Sequence, residues 1–99
     1  MINLDEYIND GVKVKLSGKE VTVKQLTARL AKEVNKLESV MDAENSYETR
    51  AKVTLKFLNN NVEGVLFTES DIENMPVKLQ TTICNEVSKF VYDISNNPN

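Results

Sequence analysis

The chain has 99 residues, 40% hydrophobic and 27% charged, with a net charge of −3 and no histidine. That balance fits one globular domain and excludes a disordered segment. The missing histidine excludes a histidine-based triad, imidazole metal ligation and a switch titrating near neutral pH.

No apolar run approaches the roughly 18 residues of a membrane span. Asp5, Glu6 and Asp10 near the start do not fit a secretory signal. Cys84 is the one cysteine, so no disulfide can form within the chain. A lone thiol fits a reducing compartment, and a cytoplasmic location is expected. The expected organisation is one domain over 1–99. It has a short N-terminal turn in 1–11, a hairpin over 12–23, a helical part over 24–95 and a frayed tail over 96–99.

Asn3 to Ile8 can form one helical turn, capped by Asn3 and closed by Gly11. Val12-Lys13-Val14-Lys15-Leu16 and Glu20-Val21-Thr22-Val23 each alternate between apolar and polar. A Gly18-Lys19 loop would place glycine first in a type II′ turn. That register sets Leu16 opposite Val21 and Val14 opposite Val23. All five apolar side chains then share one face. A two-stranded hairpin is marginal alone, so helices must cover that face.

Leu26, Leu30, Val34, Leu37 and Met41 form one helical stripe over 24–41, with Lys24, Arg29, Lys32, Glu33, Lys36 and Glu38 around it. Ser46 can cap a second helix over 47–58, whose main face is Tyr47, Ala51, Leu55 and Leu58. Val53 and Phe57 extend its apolar arc. Asn59-Asn60-Asn61 ends it, since asparagine tolerates left-handed backbone. An extended piece over 62–67 leads to a short helix capped by Thr68, which stops at Met75-Pro76. The last helix, over 77–94, carries Leu79, Ile83, Val87, Phe90 and Ile94 on one face. It would be about 27 Å long, and the rest of the chain is expected to pack around it. The expected fold is α+β, helix-dominated, with one N-terminal β-hairpin packed on three main helices. Its core should hold Val14, Leu16, Val21, Leu26, Leu30, Val34, Leu37, Leu55, Leu58, Leu79, Ile83, Val87 and Phe90.

The residues carry little chemistry. Cys84 has no histidine to activate it. Asp42, Glu44 and Glu48 lack the glycine and spacing of a calcium loop. Ser17-Gly18-Lys19 is not a phosphate loop. Lys13, Lys15, Lys19 and Lys24 make a small basic patch, with no interleaved aromatic to stack on bases. No enzyme activity, cofactor or metal is therefore expected, and the expected partner is a protein rather than nucleic acid. Val77, Cys84 and Val91 recur at heptad spacing beside the main stripe of the last helix. With Val53 and Phe57 they offer more apolar surface than a small domain needs. Burial between two helices is one account of these five residues, and a partner-binding surface is the other. Charge is also uneven. Residues 1–36 carry a net +2 and residues 37–99 a net −5. Weak head-to-tail association of copies is one expected consequence.

The layout KVKLSGKEVTV, QLTARLAKEVNKLE and LKFLNNNVEGVLFTESDIENMPVKLQTTICNEVSKFV resembles the small tail assembly chaperones of long-tailed bacteriophages. The resemblance spans most of the chain. It implies a non-enzymatic binder that coats the long helical tape measure protein before tail tube subunits polymerise around it. Many members are also made in a longer, frameshifted form. The family has no invariant motif, so no residue role is carried over. The competing class is a small phage or bacterial regulator or inhibitor that binds a host protein.

Overall fold

A computed structural model describes residues 1–3, 11–16 and 18–96, and for 90–96 the backbone alone. Its elements are β1 (Gly11–Leu16), β2 (Lys19–Lys24), α1 (Ala28–Ser39), α2 (Ser46–Asn59), α3 (Glu69–Glu73) and α4 (Val77–Asn96). The fold is α+β, with one antiparallel hairpin and four helices among the described residues. The turn expected over 3–8 falls largely outside the described residues, as do 97–99 of the expected tail. Asn96 belongs to α4.

The hairpin forms, but its register differs from the expected one. Val14 pairs with Val21, Val12 with Val23 and Leu16 with Lys19. Lys19 therefore belongs to β2 and not to the loop, and Gly18 precedes it with φ +79°. The shift is two residues, one full side-chain period, so the apolar face is unchanged. Periodicity fixes the face, but the turn residue fixes the pairs. Gly11 opens β1, where a Cβ would run into the Val23 carbonyl.

The outer edge of β2 is covered by the chain leaving α2. Val23 bridges Asn61, the Lys24 N–H donates to the Asn60 carbonyl at 2.8 Å, and the Val62 N–H donates to the Thr22 carbonyl at 2.9 Å. The one bridge falls at Asn61, and the piece over 62–67, expected to be extended, is a turn followed by irregular chain. Holding Lys24 in the sheet also delays α1. Its cap is Thr27, whose hydroxyl accepts from the Leu30 N–H at 3.1 Å.

The three asparagines do more than stop α2. The cap, Asn60, has φ −90° and ψ 67°, not left-handed backbone. The side-chain amides supply the closure instead. Asn59 exchanges two hydrogen bonds with the Phe67 backbone, at 2.7 and 3.2 Å. Asn60 donates to the Gln25 carbonyl at 3.3 Å. Asn61 is buried. It donates to the Leu58 and Val65 carbonyls at 2.7 Å each and accepts from the Val65 N–H at 2.9 Å.

The hub is α2, not the last helix. It packs against α1, α3, α4 and β2. Val53, Thr54, Phe57 and Leu58 are buried along it, while Tyr47, expected on its main face, is 70% exposed. Its buried face is rotated by about 100° from the expected one, counting 100° per residue. Thr49 and Thr54 keep that face narrow enough for two neighbours. Thr54 returns its hydroxyl hydrogen to the Arg50 carbonyl at 2.8 Å.

Other core assignments move for similar reasons. Leu79 is 38% exposed, because α4 turns Gln80 inward instead. The buried Gln80 amide donates to the Ile72 and Met75 carbonyls, at 3.1 Å each, where α3 ends. Leu30 and Leu37 are only half-buried, since α1 packs mainly on α2, and so is Leu26 just before the helix. Val14, Leu16 and Leu55 are also half-buried. Phe90 lies outside the described side chains. Val23, Phe67, Ile72 and Met75 join the core, with Ile72 held by a short helix whose Thr68–Asp71 capping box is complete.

Two predictions follow from this packing. Leu58→Ala should cost about 2–5 kcal/mol in chemical denaturation, as a fully buried leucine does. Leu79→Ala should cost less than about 1 kcal/mol, and equal losses would contradict the rotation of α4. Asn61→Ala should cost about 1–3 kcal/mol because it orphans buried backbone groups. Asn60→Ala, with longer and more exposed bonds, should cost under about 1 kcal/mol in the same assay.

Candidate partner-binding surfaces

The five residues expected to meet a partner separate in the structure. Val53 and Phe57 are 5% and 2% exposed, so they are core and not surface. Their extended arc exists because α2 is covered on two sides. Val77 is 48% exposed at the start of α4. Cys84 is half-buried. Val91 lies outside the described side chains.

These residues border two of the hollows on the molecule. The first is a hollow of about 400 Å³ between α1, α2 and α4. Leu26, Ala31 and Val34 line one side, Val53 and Phe57 form part of the floor, and Cys84 lines the α4 side. Arg50 lines it too and donates to the Thr81 hydroxyl at 3.0 Å, tying α2 to α4. Cys84 Sγ sits 3.3 Å from Thr54 Oγ1. Burial pushes the Cys84 thiol up, against a smaller opposing pull from the bond to Thr54. Half-buried against Thr54, it packs as a small apolar side chain.

The second is a groove of about 310 Å³ between α2, α3 and the start of α4. Tyr47, Ala51, Leu55 and Val77 line it, above Ile72 and Met75. Glu48, Glu69 and Glu73 stand on its rim beside Lys52, whose Nζ is 3.2 Å from Glu48.

The basic patch expected on the hairpin is broken up. Lys15 pairs across the strands with Glu20, and Lys13 lies near Glu63. Glu63 takes the Thr22 N–H at 2.7 Å and the Thr22 hydroxyl at 3.0 Å. The Thr22 N–H chiefly, with its hydroxyl and Lys13 adding less, holds the Glu63 carboxyl below the usual carboxylate range. A cleaner positive surface lies on α1. Arg29, Lys32 and Lys36 are exposed and fall within about 60° of one another around the helix. Their i, i+3, i+7 spacing is visible in the sequence, but it counts only once the inward face of α1 is known.

The acidic turn at 42–48 is used for structure. Asp42 Oδ1 accepts from the Glu44 and Asn45 N–H groups at 2.9 Å each. Among the described residues no group of three or more potential ligands is arranged to hold a metal ion. No helix among them is long and apolar enough to cross a membrane. Neither a family model, nor a curated protein, nor a solved structure matches the chain.

The Thr22–Glu63 clamp gives a pH dependence of known sign. Its carboxyl is lowered on folding, so its stabilisation is present above the ordinary value of 4.5 and is lost as pH falls through the folded value. Asp71, held down chiefly by the Thr68 N–H, adds a loss of the same sign below 3.8. In thermal unfolding across this range, Glu63→Gln should flatten the acid limb relative to the unsubstituted chain. Identical acid limbs would mean the clamp does not form in solution.

Proposed function

We propose that the chain is a non-enzymatic tail assembly chaperone. In this role it holds the long helical tape measure protein before tail tube subunits polymerise around it. The observation that supports this most directly is the open hollow between α1, α2 and α4. Val53 and Phe57 form part of its floor, and Leu26, Ala31 and Val34 add apolar surface on one side. A hollow of this kind suits helix-in-groove recognition, in which apolar side chains at i, i+3, i+4 and i+7 of a partner helix provide the anchors. A long helical partner offers many such segments in succession. A coat of this type must also leave when tube subunits arrive. One small hollow makes a contact well below the area of a permanent interface, which allows that exchange.

The test is co-expression with the tape measure protein, read from the long coiled-coil-rich frame expected just downstream. The chain should keep that protein soluble and co-purify with it. Ala31→Trp, which fills the hollow from the α1 side, should weaken the contact at least about tenfold, a change of about 1.4 kcal/mol. Circular dichroism establishes that the variant is folded. If the folded variant co-purifies undiminished, the contact lies elsewhere. If the unsubstituted chain retains no tape measure protein, the reading fails.

A further inference from the structure

We propose that the outer edge of β1 takes up an extended segment of a partner protein as a third strand, one that alternates acidic with apolar residues. The two edges of the hairpin differ. The edge of β2 is closed by Asn60, Asn61 and Val62. Among the described residues no chain pairs with the edge of β1. The closed edge also fixes which way the backbone groups of β1 point. The Lys24 N–H and the Thr22 carbonyl both bond away from β1. Thr22 stands opposite Lys13, and Lys24 opposite Gly11. In an antiparallel ladder, facing residues that do not bond each other turn their backbone groups to opposite sides. By that alternation the N–H and carbonyl groups of Gly11, Lys13 and Lys15 point out from the free edge.

The side chains along that edge state what it accepts. Lys13 and Lys15 are exposed, and among the described residues neither makes an ion pair. Glu20 and Glu63 approach them from the β2 side. Residues of an added strand that face Lys13 and Lys15 share their side of the sheet, where opposite charge is favourable and like charge is not. A second β1 on this edge sets lysine against lysine, so the occupant is not another copy of this chain. Lysines on edge strands guard against such pairing. The intervening residues of the added strand turn to the inner face, beside the half-buried Val12, Val14 and Leu16. β1 packs on α4 and β2 on α2, so the free edge lies on the α4 side. Leu79 of α4 is 38% exposed and lines, with Leu16, Met75 and Pro76, a hollow of about 340 Å³. Apolar side chains of the added strand have that ledge to cover. Main-chain pairing supplies the affinity, and the alternating side chains supply the choice of partner. The inference does not rest on the tape measure reading. That reading puts a helix in the hollow between α1, α2 and α4, whereas here an extended segment pairs with a strand.

The probe is a fluorescent peptide of about seven alternating valine and glutamate residues, an ordinary strand length. Anisotropy with the full chain reads its binding. It should bind, and it should slow hydrogen exchange at the Lys13 and Lys15 amides. The same peptide methylated on its backbone nitrogens keeps its charges, loses the pairing and should not bind. A peptide with lysine in place of glutamate should bind at least about tenfold more weakly, and Lys13→Glu/Lys15→Glu should reverse that preference. Lys13→Pro removes only an outward N–H, a position where an edge strand tolerates proline, and should abolish binding. Circular dichroism establishes that each variant is folded, and the peptide series on the unsubstituted chain decides the question where a variant is not. The inference is overturned by a glutamate peptide that does not bind, by equal binding of the methylated or lysine peptide, or by a folded Lys13→Pro variant that binds undiminished. It is equally overturned if a DNA oligonucleotide displaces the peptide, which would assign the lysines to phosphate. Protection of the Lys13 amide in the chain alone would also overturn it, because the edge would then be filled by the chain itself or by another copy.

Discussion

The structure depends on the hydrogen bonds of three successive asparagines at the end of α2. Asn59, Asn60 and Asn61 carry one amide each, and each amide holds a different part of the chain. Asn59 fixes the approach to α3 through the Phe67 backbone. Asn60 fixes the exit from β2 through Gln25. Asn61 fixes the return loop through Val65 and lies under Val23 in the bridge. Backbone leaving a helix needs partners for its free groups, and a loop inside a small domain has little water to supply them. Short amide side chains provide both donors and acceptors at one point. The hairpin, which is marginal by itself, is thereby attached to the helical part by hydrogen bonds as well as by its apolar face.

That attachment makes α2 the shared wall of the core. Phe57 and Leu58 reach full burial because neighbours cover two adjacent sides of the helix. The threonines at 49 and 54 are polar residues in apolar company, each satisfied locally by backbone or side-chain partners. The remaining sides of α2 are left partly uncovered. Both concave surfaces border this helix, one against α1 and α4 and one against α3 and the start of α4. The binding surfaces are thus what remains after a hub helix has met its neighbours.

Electrostatics divides the molecule differently from the linear charge count. The hairpin holds four lysines, with Glu20 and Glu63 among them. Arg29, Lys32 and Lys36 add a second positive surface on the outer face of α1. The acidic excess is concentrated in part on α3, where Glu69 and Glu73 stand one helical turn apart.

By itself the sequence determined the α+β class, the alternating hairpin, the Thr68 cap and the stripes carrying Val34, Ile83 and Val87. These are local properties, since periodicity and capping act over a few residues. For Val77 spacing left burial and a partner surface both open, and the fold leaves it exposed. Tertiary structure alone decided the rest. A two-residue register shift leaves every apolar side chain on the same face, so alternation could not choose between Val14–Val21 and Val14–Val23. A wide apolar arc has the same appearance whether a second helix or a partner covers it, so Val53 and Phe57 could not be assigned to the core from spacing. Gln80 displaced Leu79 because two carbonyls at the end of α3 needed a donor, and nothing near residue 80 in the chain announces that. The asparagine run read as a helix stop because its partners, Gln25 far upstream and Val65 and Phe67 just downstream, become neighbours only when the chain has folded.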